Sequence, residues 1–194
     1  NSNRSMGISL SENTESLRAM YSNMSMFTTL TPQIGNELVS MTAKMQHVGI
    51  SAEQSSQNLD HLTRAFGMGV GQAKQFSLDM VQLGTDIGMP PQTLARELAA
   101  VTPRLAAYGK TMTEEFRKLA AQSKATGVAM QQLIGISRGF DTFESAAEKV
   151  GSLNAILGGP YMDTVTMMMA TESERIRIIK NSVSSSGRLA EATT

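Results

Sequence analysis

The chain has 194 residues, 41% of them hydrophobic, with 15 Met and no Cys or Trp, which is enough apolar material for one or two packed domains. Lys and Arg (17) balance Asp and Glu (17), and the charges are spread along the whole chain. The chain is therefore not basic enough for nucleic acid or an anionic membrane to be its main partner, and the lack of Cys excludes disulfides and thiolate metal sites.

The N-terminal segment carries apolar residues at alternating steps of three and four from Leu10 to Val48, interrupted only by Thr31 and Pro32. A period of 3.5 residues is typical of helices that wind around partner helices. The segment is therefore predicted to self-associate, although the same seam would also pack inside a single chain. The residues predicted to mediate self-association are Leu17, Met20, Met24, Phe27, Ile34, Leu38, Met41, Met45 and Val48.

Glycines punctuate the middle of the chain at intervals of 18 to 21 residues, at Gly49, Gly67, Gly88, Gly109 and Gly127. Gly ends a helix readily because it adopts the left-handed conformation without a Cβ penalty, so each interval fits one short helix and a turn. Only five Pro occur, and apolar residues fall three and four apart. The predicted fold class is all-α, with a long N-terminal helical segment followed by an array of short, Gly-punctuated helices.

Helix starts are also signalled along the chain. A hydroxyl or carboxylate that accepts a free backbone N–H, with Glu or Gln three residues later, makes a capping box, and Pro suits the first helical turn. The predicted starts are Ser51 with Gln54, Pro90 with Pro91, Thr111 with Glu114, Asp141 with Glu144, and Thr171 with Glu174.

The stretch FGMGVGQAKQF, Phe66 to Phe76, places three glycines on alternate positions ahead of Lys74, as a phosphate-binding loop can. A dinucleotide fingerprint needs a strand before its glycines, and a P-loop needs Gly-Lys-Ser/Thr after four intervening residues. Neither condition holds here. The pattern predicts a helix-to-helix turn rather than a nucleotide site.

No residue set in the sequence carries recognisable catalytic chemistry. His47 and His61 are the only imidazoles, so neither a Ser-His-Asp triad nor a metal signature can be assembled. Glu114 and Glu115 are adjacent acids, but Glu114 is expected to cap a helix and no apolar pocket is indicated that would raise a pKa. The chain is predicted not to be an enzyme and to use no cofactor or metal.

The run FDTFESAAEKVGSLNAILGGPYMDTVTMMMATESERIRIIKNSV, Phe140 to Val183, resembles a block of bacteriophage tail tape measure proteins and related large tail proteins. The stretch VGISAEQSSQNLDHLTRAFGMGVG, from Val48 to Gly71, is similar to them too. The resemblance covers most of residues 49–187, whereas residues 1–48 share only helical character. It contributes no catalytic residue.

The resemblance implies a structural virion protein that sets tail length inside the tail tube and leaves ahead of the genome during infection. Helix suits a ruler because each residue adds about 1.5 Å of rise. The implied partners are further copies of the chain, the tail tube, and baseplate or tail-tip proteins, without specific nucleic-acid binding. The implied location is the virion tail interior after synthesis in the host cytoplasm. Membrane contact on infection has no support in this segment.

The predicted organisation has a self-association segment at residues 1–48, a multi-helix domain at 49–187 and a flexible end at 188–194. The chain begins without Met, and we expect it to be a segment of a longer protein. Two alternative functions stay open. One is another internal or neck protein of a virion, and the other is a non-viral helical adaptor that binds a partner in a groove between its helices.

Overall fold

The predicted all-α class is confirmed by a computed structural model, which describes residues 7–187 and contains no strand within that range. The α-helices are α1 (Leu10–Asn23), α2 (Pro32–Gln46), α3 (Ala52–Arg64), α4 (Val70–Ile87), α5 (Pro91–Leu105), α6 (Met112–Thr126), α7 (Met130–Ser137), α8 (Phe143–Leu157), α9 (Thr164–Met169) and α10 (Glu172–Ser185). Short 3₁₀ helices span Phe27–Thr29, Ala106–Thr111 and Arg138–Phe140.

The chain divides into two compact units between Thr113 and Glu114. The boundary predicted after residue 48 falls inside the first unit, in the connection between α2 and α3, and it stays a prediction. The flexible end predicted at 188–194 lies outside the described residues.

In the first unit, α3 packs against α1, α2, α4 and α5. Its Leu59 and Leu62 are fully buried, as are Leu94 and Leu98 of α5. The N-terminal segment is not one continuous helix in this unit. It forms α1 and α2, which pack against each other, because Thr31 caps a new helix that has Pro32 at its first position.

The punctuating glycines Gly49, Gly67, Gly88, Gly109 and Gly127 all have positive φ. Two of them show why. After Gly49, the Ile50 N–H donates to the Met45 carbonyl at 3.0 Å, and after Gly88 the Met89 N–H donates to the Gly84 carbonyl at 2.8 Å. These backward bonds satisfy carbonyls at the ends of α2 and α4, and they require the left-handed backbone that Gly adopts without strain.

The second unit has its own core between α8, α9 and α10. Buried residues of this core are Phe140, Ala146, Val150, Leu157, Met162 and Met167, with Leu153, Ile178, Ile179 and Val183 packed against them. Asn154 of α8 fastens the following loop, because its amide donates to the Met162 carbonyl at 2.8 Å and accepts from the Met162 N–H at 2.9 Å. Both polar groups of that loop residue are thereby satisfied.

Two predicted helix starts need correction. Thr111 does not cap α6, because its hydroxyl donates to the Tyr108 carbonyl within a 3₁₀ helix that runs directly into α6. The cap of α8 is Thr142 rather than Asp141. The capping box of Thr171 with Glu174 forms as predicted, and Pro91 begins α5.

Candidate functional site

Most residues predicted to mediate self-association lie inside the first unit. Six are buried, namely Met20, Met24, Phe27, Leu38, Met41 and Met45. The other three keep part of their surface open to solvent: Leu17 is 42% exposed, Ile34 39% and Val48 38%. The ladder of apolar residues is largely consumed by packing among α1, α2 and α3 within one chain. Self-association stays a prediction, and in this fold only Leu17, Ile34 and Val48 of the nine are open to a partner.

Helix α1 carries a second apolar face that the sequence analysis missed in part. Leu10 (76% exposed) and Tyr21 (61% exposed) lie on the same side of the helix as Leu17, with the exposed Thr14 between them. Steps of four, three and four residues keep these positions on one face, whereas Ser16, Ala19 and Met20 are buried on another. We call Leu10, Thr14, Leu17 and Tyr21 the outer stripe of α1.

Tyr21 was missed because a ladder of three and four steps can pass through either position 20 or position 21, and Met20 is also apolar. Its ring stands edge-on to the Phe27 ring at a centroid distance of 4.9 Å. Edge-to-face contact of this kind is a favoured aromatic geometry. Phe27 in turn lies against Gly35 of α2, where a Cβ would come within 3.7 Å of the ring. The exposed tyrosine is therefore held on a buried support.

Polar contacts fix α1 in place on its neighbours. Asp60 of α3 accepts from the Ser25 N–H at 2.9 Å and from the Ser25 hydroxyl at 2.7 Å, in the turn after α1. Burial raises the pKa of Asp60, but these hydrogen bonds and the nearby Arg64 lower it by more, so the pKa lies below its ordinary value. The carboxylate therefore stabilises the turn while it is ionised.

A second set of contacts joins α1 to the end of α2. Glu12 and Ser9 form a reciprocal capping box at the start of α1. Glu12 also contacts His47 at 3.0 Å, and Gln46 donates to the Ser16 hydroxyl at 3.0 Å. The bonds from Ser9 and the contact with His47 hold the pKa of Glu12 below its usual range. The outer stripe is therefore displayed on a helix anchored at both of its ends.

The glycine-rich stretch forms the turn between α3 and α4 and borders an open cleft of about 670 Å³. The first unit lines this cleft with Phe66, Gly67, Met68, Gln72, Gln75, Phe76, Asp79, Gly109, Lys110 and Thr113. Gly69 precedes α4, and its N–H donates to Gln72 at 3.1 Å. Lys74 pairs with Glu37 of α2 at 2.5 Å. These contacts give the glycines and Lys74 roles in helix packing.

A buried arginine organises the helix ends of the second unit. The Arg175 guanidinium donates to the carbonyls of Met167 (2.7 Å), Met168 (2.9 Å) and Ser137 (3.1 Å), and it pairs with Asp141 at 2.7 Å. It thus satisfies carbonyls at the ends of α7 and α9, where helices leave such groups without partners. Sequence reasoning assigned Asp141 to a cap, and no local pattern points to a partner 34 residues away.

Adjacent Glu114 and Glu115 have separate structural roles. Glu115 is buried and accepts from the Ser173 N–H at 2.6 Å and the Ser173 hydroxyl at 2.8 Å, at the start of α10. An anion is stabilised there by the free N–H groups of the helix. Glu114 is exposed and pairs with Lys118 at 2.7 Å, and this hydrogen bond lowers the pKa of Glu114 and raises that of Lys118.

Within residues 7–187, no group of three or more His, Asp or Glu side chains is arranged to hold a metal ion. In the same range, no helix has both the length and the apolar character needed to cross a membrane. Comparison with models of known protein families, with curated proteins and with solved structures finds no match. The functional argument therefore depends on the surfaces of the chain itself and on the resemblance of its sequence to tail proteins.

Proposed function

We propose that this chain is a structural protein without catalytic activity, part of a phage tail tape measure that sets tail length inside the tail tube and is released during infection. The observation that carries the proposal is the outer stripe of α1. Two leucines and a tyrosine stand exposed on one helix face at the spacing of a helix-helix seam. Large apolar side chains grouped on one face mark surfaces that bind other proteins.

The outer stripe is suited to contact between helices. Its Leu10, Leu17 and Tyr21 extend over most of the length of α1, which spans Leu10–Asn23. Full burial of one such side chain contributes about 1.5–3 kcal/mol, so several copies of the stripe together would outweigh the entropic cost of association only with additional contacts. Ile34 and Val48, which are also partly exposed, belong to the predicted self-association set and would supply such contacts.

The proposal includes the organisation inferred from sequence. Residues 1–48 form the self-associating helical segment, residues 49–187 form an array of short helices, and residues 188–194 form a flexible end. The partners are further copies of the chain together with tail tube and baseplate or tail-tip proteins, and the location is the tail interior. The balance of 17 basic and 17 acidic residues supports this role, because a neutral surface would not retain DNA that passes through the tube.

One observation favours the adaptor as a second candidate. The second unit has an open groove of about 410 Å³ between α7, α8 and α10. Its apolar lining is Ile136, Phe140, Leu153 and Ile179, and Glu148 and Lys149 stand at its side. A groove of this composition is typical of sites that accept an apolar segment of a partner. An adaptor would use this groove as a monomer, whereas the tape measure requires association of the chain with itself.

Light scattering across a concentration series separates the two candidates. The parent chain is expected to have the mass of an oligomer, and replacing Leu17 and Tyr21 together with Asp should lower that mass. Leu78→Asp is a matched control, because Leu78 is an exposed leucine of α4 outside the outer stripe. A monomeric parent chain, or a double variant that keeps the parent mass, would contradict self-association through α1.

The choice of residues matters for this test. Leu38→Asp with Met41→Asp would also address the predicted segment, but both side chains are buried in the first unit. Two buried carboxylates would unfold that unit, since an ionised group without a partner is costly in a protein interior. A change of mass in that variant would then report unfolding rather than loss of a contact. Substitutions in the outer stripe leave the core intact.

A further inference from the structure

A small internal cavity lies in the first unit where α2, α3 and α4 meet. It offers about 10 Å³ of space for the centre of a water molecule. All of its lining residues are buried, namely Met41, Met45, Ile50, Ser55, Asn58, Ser77 and Met80. Three methionines and one isoleucine make the lining apolar on one side, and two serines and an asparagine make it polar on the other.

Two polar atoms of this lining have no hydrogen-bond partner within residues 7–187. They are the Ser55 hydroxyl oxygen and the Asn58 carbonyl oxygen Oδ1. The orientation of the Asn58 amide is set by its other end, because Nδ2 donates to the Ala95 carbonyl of α5 at 3.0 Å. Oδ1 is therefore left as an acceptor. Buried polar groups in folded proteins nearly always have a partner, so two such atoms beside one cavity require an explanation.

Ser77 supplies a third polar group. Its hydroxyl donates to the Ala73 carbonyl one turn earlier in α4, at 2.9 Å. A hydroxyl that has used its hydrogen in this way still has lone pairs to accept with. The lining thus presents one hydroxyl able to donate, from Ser55, and two oxygens able to accept, from Asn58 and Ser77.

We propose that one buried water molecule is a constitutive part of the first unit and occupies this cavity. The water accepts from the Ser55 hydroxyl and donates to Asn58 Oδ1 and to the Ser77 hydroxyl oxygen. Three hydrogen bonds are the usual number for an internal water, and the available space matches a single molecule. No charged side chain lines the cavity, so the ligand is a neutral water rather than an ion.

The water would connect α3 to α4 next to the glycine-rich turn. Ser55 and Asn58 belong to α3 and Ser77 belongs to α4, so bonds to all three cross the interface between these helices. The methionines opposite adapt their shape to the remaining space because their side chains are unbranched and flexible. The proposal concerns the internal structure of the unit and does not depend on the function proposed above.

A crystal structure of the wild-type protein at a resolution that shows ordered water tests the proposal first. The expected result is one well-ordered water within hydrogen-bond distance of Ser55, Asn58 and Ser77. A cavity without density, or a direct bond between Ser55 and Asn58 that closes it, would overturn the proposal.

Magnetic relaxation dispersion of water nuclei, which counts long-lived internal waters, tests it in solution. Ser55→Val removes the donor and fills the space with methyl groups, so the count should fall by one relative to wild type. Thr42→Val is the matched control, because Thr42 is a buried hydroxyl of the same unit without a partner among the described residues, and it does not line the cavity. An equal count in wild type and Ser55→Val, or the same loss in Thr42→Val, would refute the site. If Ser55→Val does not fold, the wild-type crystal structure decides alone.

Discussion

Replacing Arg175 with Ala removes the group that joins three helix ends of the second unit. The guanidinium is buried and makes four hydrogen bonds, three of them to backbone carbonyls and one to Asp141. The substitution leaves those carbonyls without their donor and Asp141 without its partner. Each of these losses acts on the folded state, because water supplies the same bonds in the unfolded chain.

The expected destabilisation is about 3 kcal/mol. Removal of one partner from a buried ion pair costs about 3–5 kcal/mol. The lower end applies because Asp141 is partly exposed and water can solvate its carboxylate in the variant. A change of about 3 kcal/mol corresponds to more than a hundredfold rise in the equilibrium constant for opening of the unit.

Hydrogen exchange measured by mass spectrometry is the suitable assay, because it reports each unit separately. Amides of α7, α9 and α10 should exchange more than a hundredfold faster in Arg175→Ala, whereas amides of α1 to α4 should keep their wild-type rates. Arg177→Ala is the matched control, since Arg177 is an exposed arginine of the same helix. If both variants exchange alike, the buried guanidinium does not hold these helix ends and the reasoning is wrong.

Three further substitutions test other parts of the fold by urea unfolding. Because the folded pKa of Asp60 is lowered, its contribution is complete above the unfolded value of about 3.9 and is lost as pH falls through the lower folded value; Asp60→Asn should cost about 1–2 kcal/mol at pH 7 and flatten this acid dependence. Gly84→Ala should destabilise, since its Cβ would lie 2.7 Å from the Met89 carbonyl oxygen, whereas Gly151→Ala, with nothing within 4 Å, should stabilise α8 by about 0.5–1 kcal/mol. Thr171→Ala should cost about 1 kcal/mol through loss of the capping box of α10. Equal effects of the two glycine substitutions, or an Asp60→Asn variant that keeps the wild-type acid dependence, would contradict these assignments.

Local features of the fold were predictable from sequence because they depend on neighbouring residues. The helical period identified the fold class, and a backbone that needs positive φ explains why Gly49 and Gly88 stand at helix ends. Thr171 and Glu174 form their capping box because both partners lie within one turn. In each of these cases the cause lies within a few residues of the effect.

Features that depend on distant residues were not predictable. A ladder of apolar residues looks the same whether it packs on another copy or on the same chain, so the burial of Leu38 and Met41 required the structure. Asp141 has the pattern of a cap, but a buried arginine of α10 engages its carboxylate instead. The partners of Glu115 and Asp60 likewise come from helices far along the chain, and no spacing rule connects them.

Tail length measured by electron microscopy tests the central claim most directly. In a phage or prophage that encodes the chain, in-frame deletions within the parent protein should shorten the tails in proportion to the residues removed, by up to about 1.5 Å per helical residue. Mass spectrometry of the purified particles should also find the chain among their proteins. Tails of unchanged length in every deletion, or particles that lack the chain, would contradict the account.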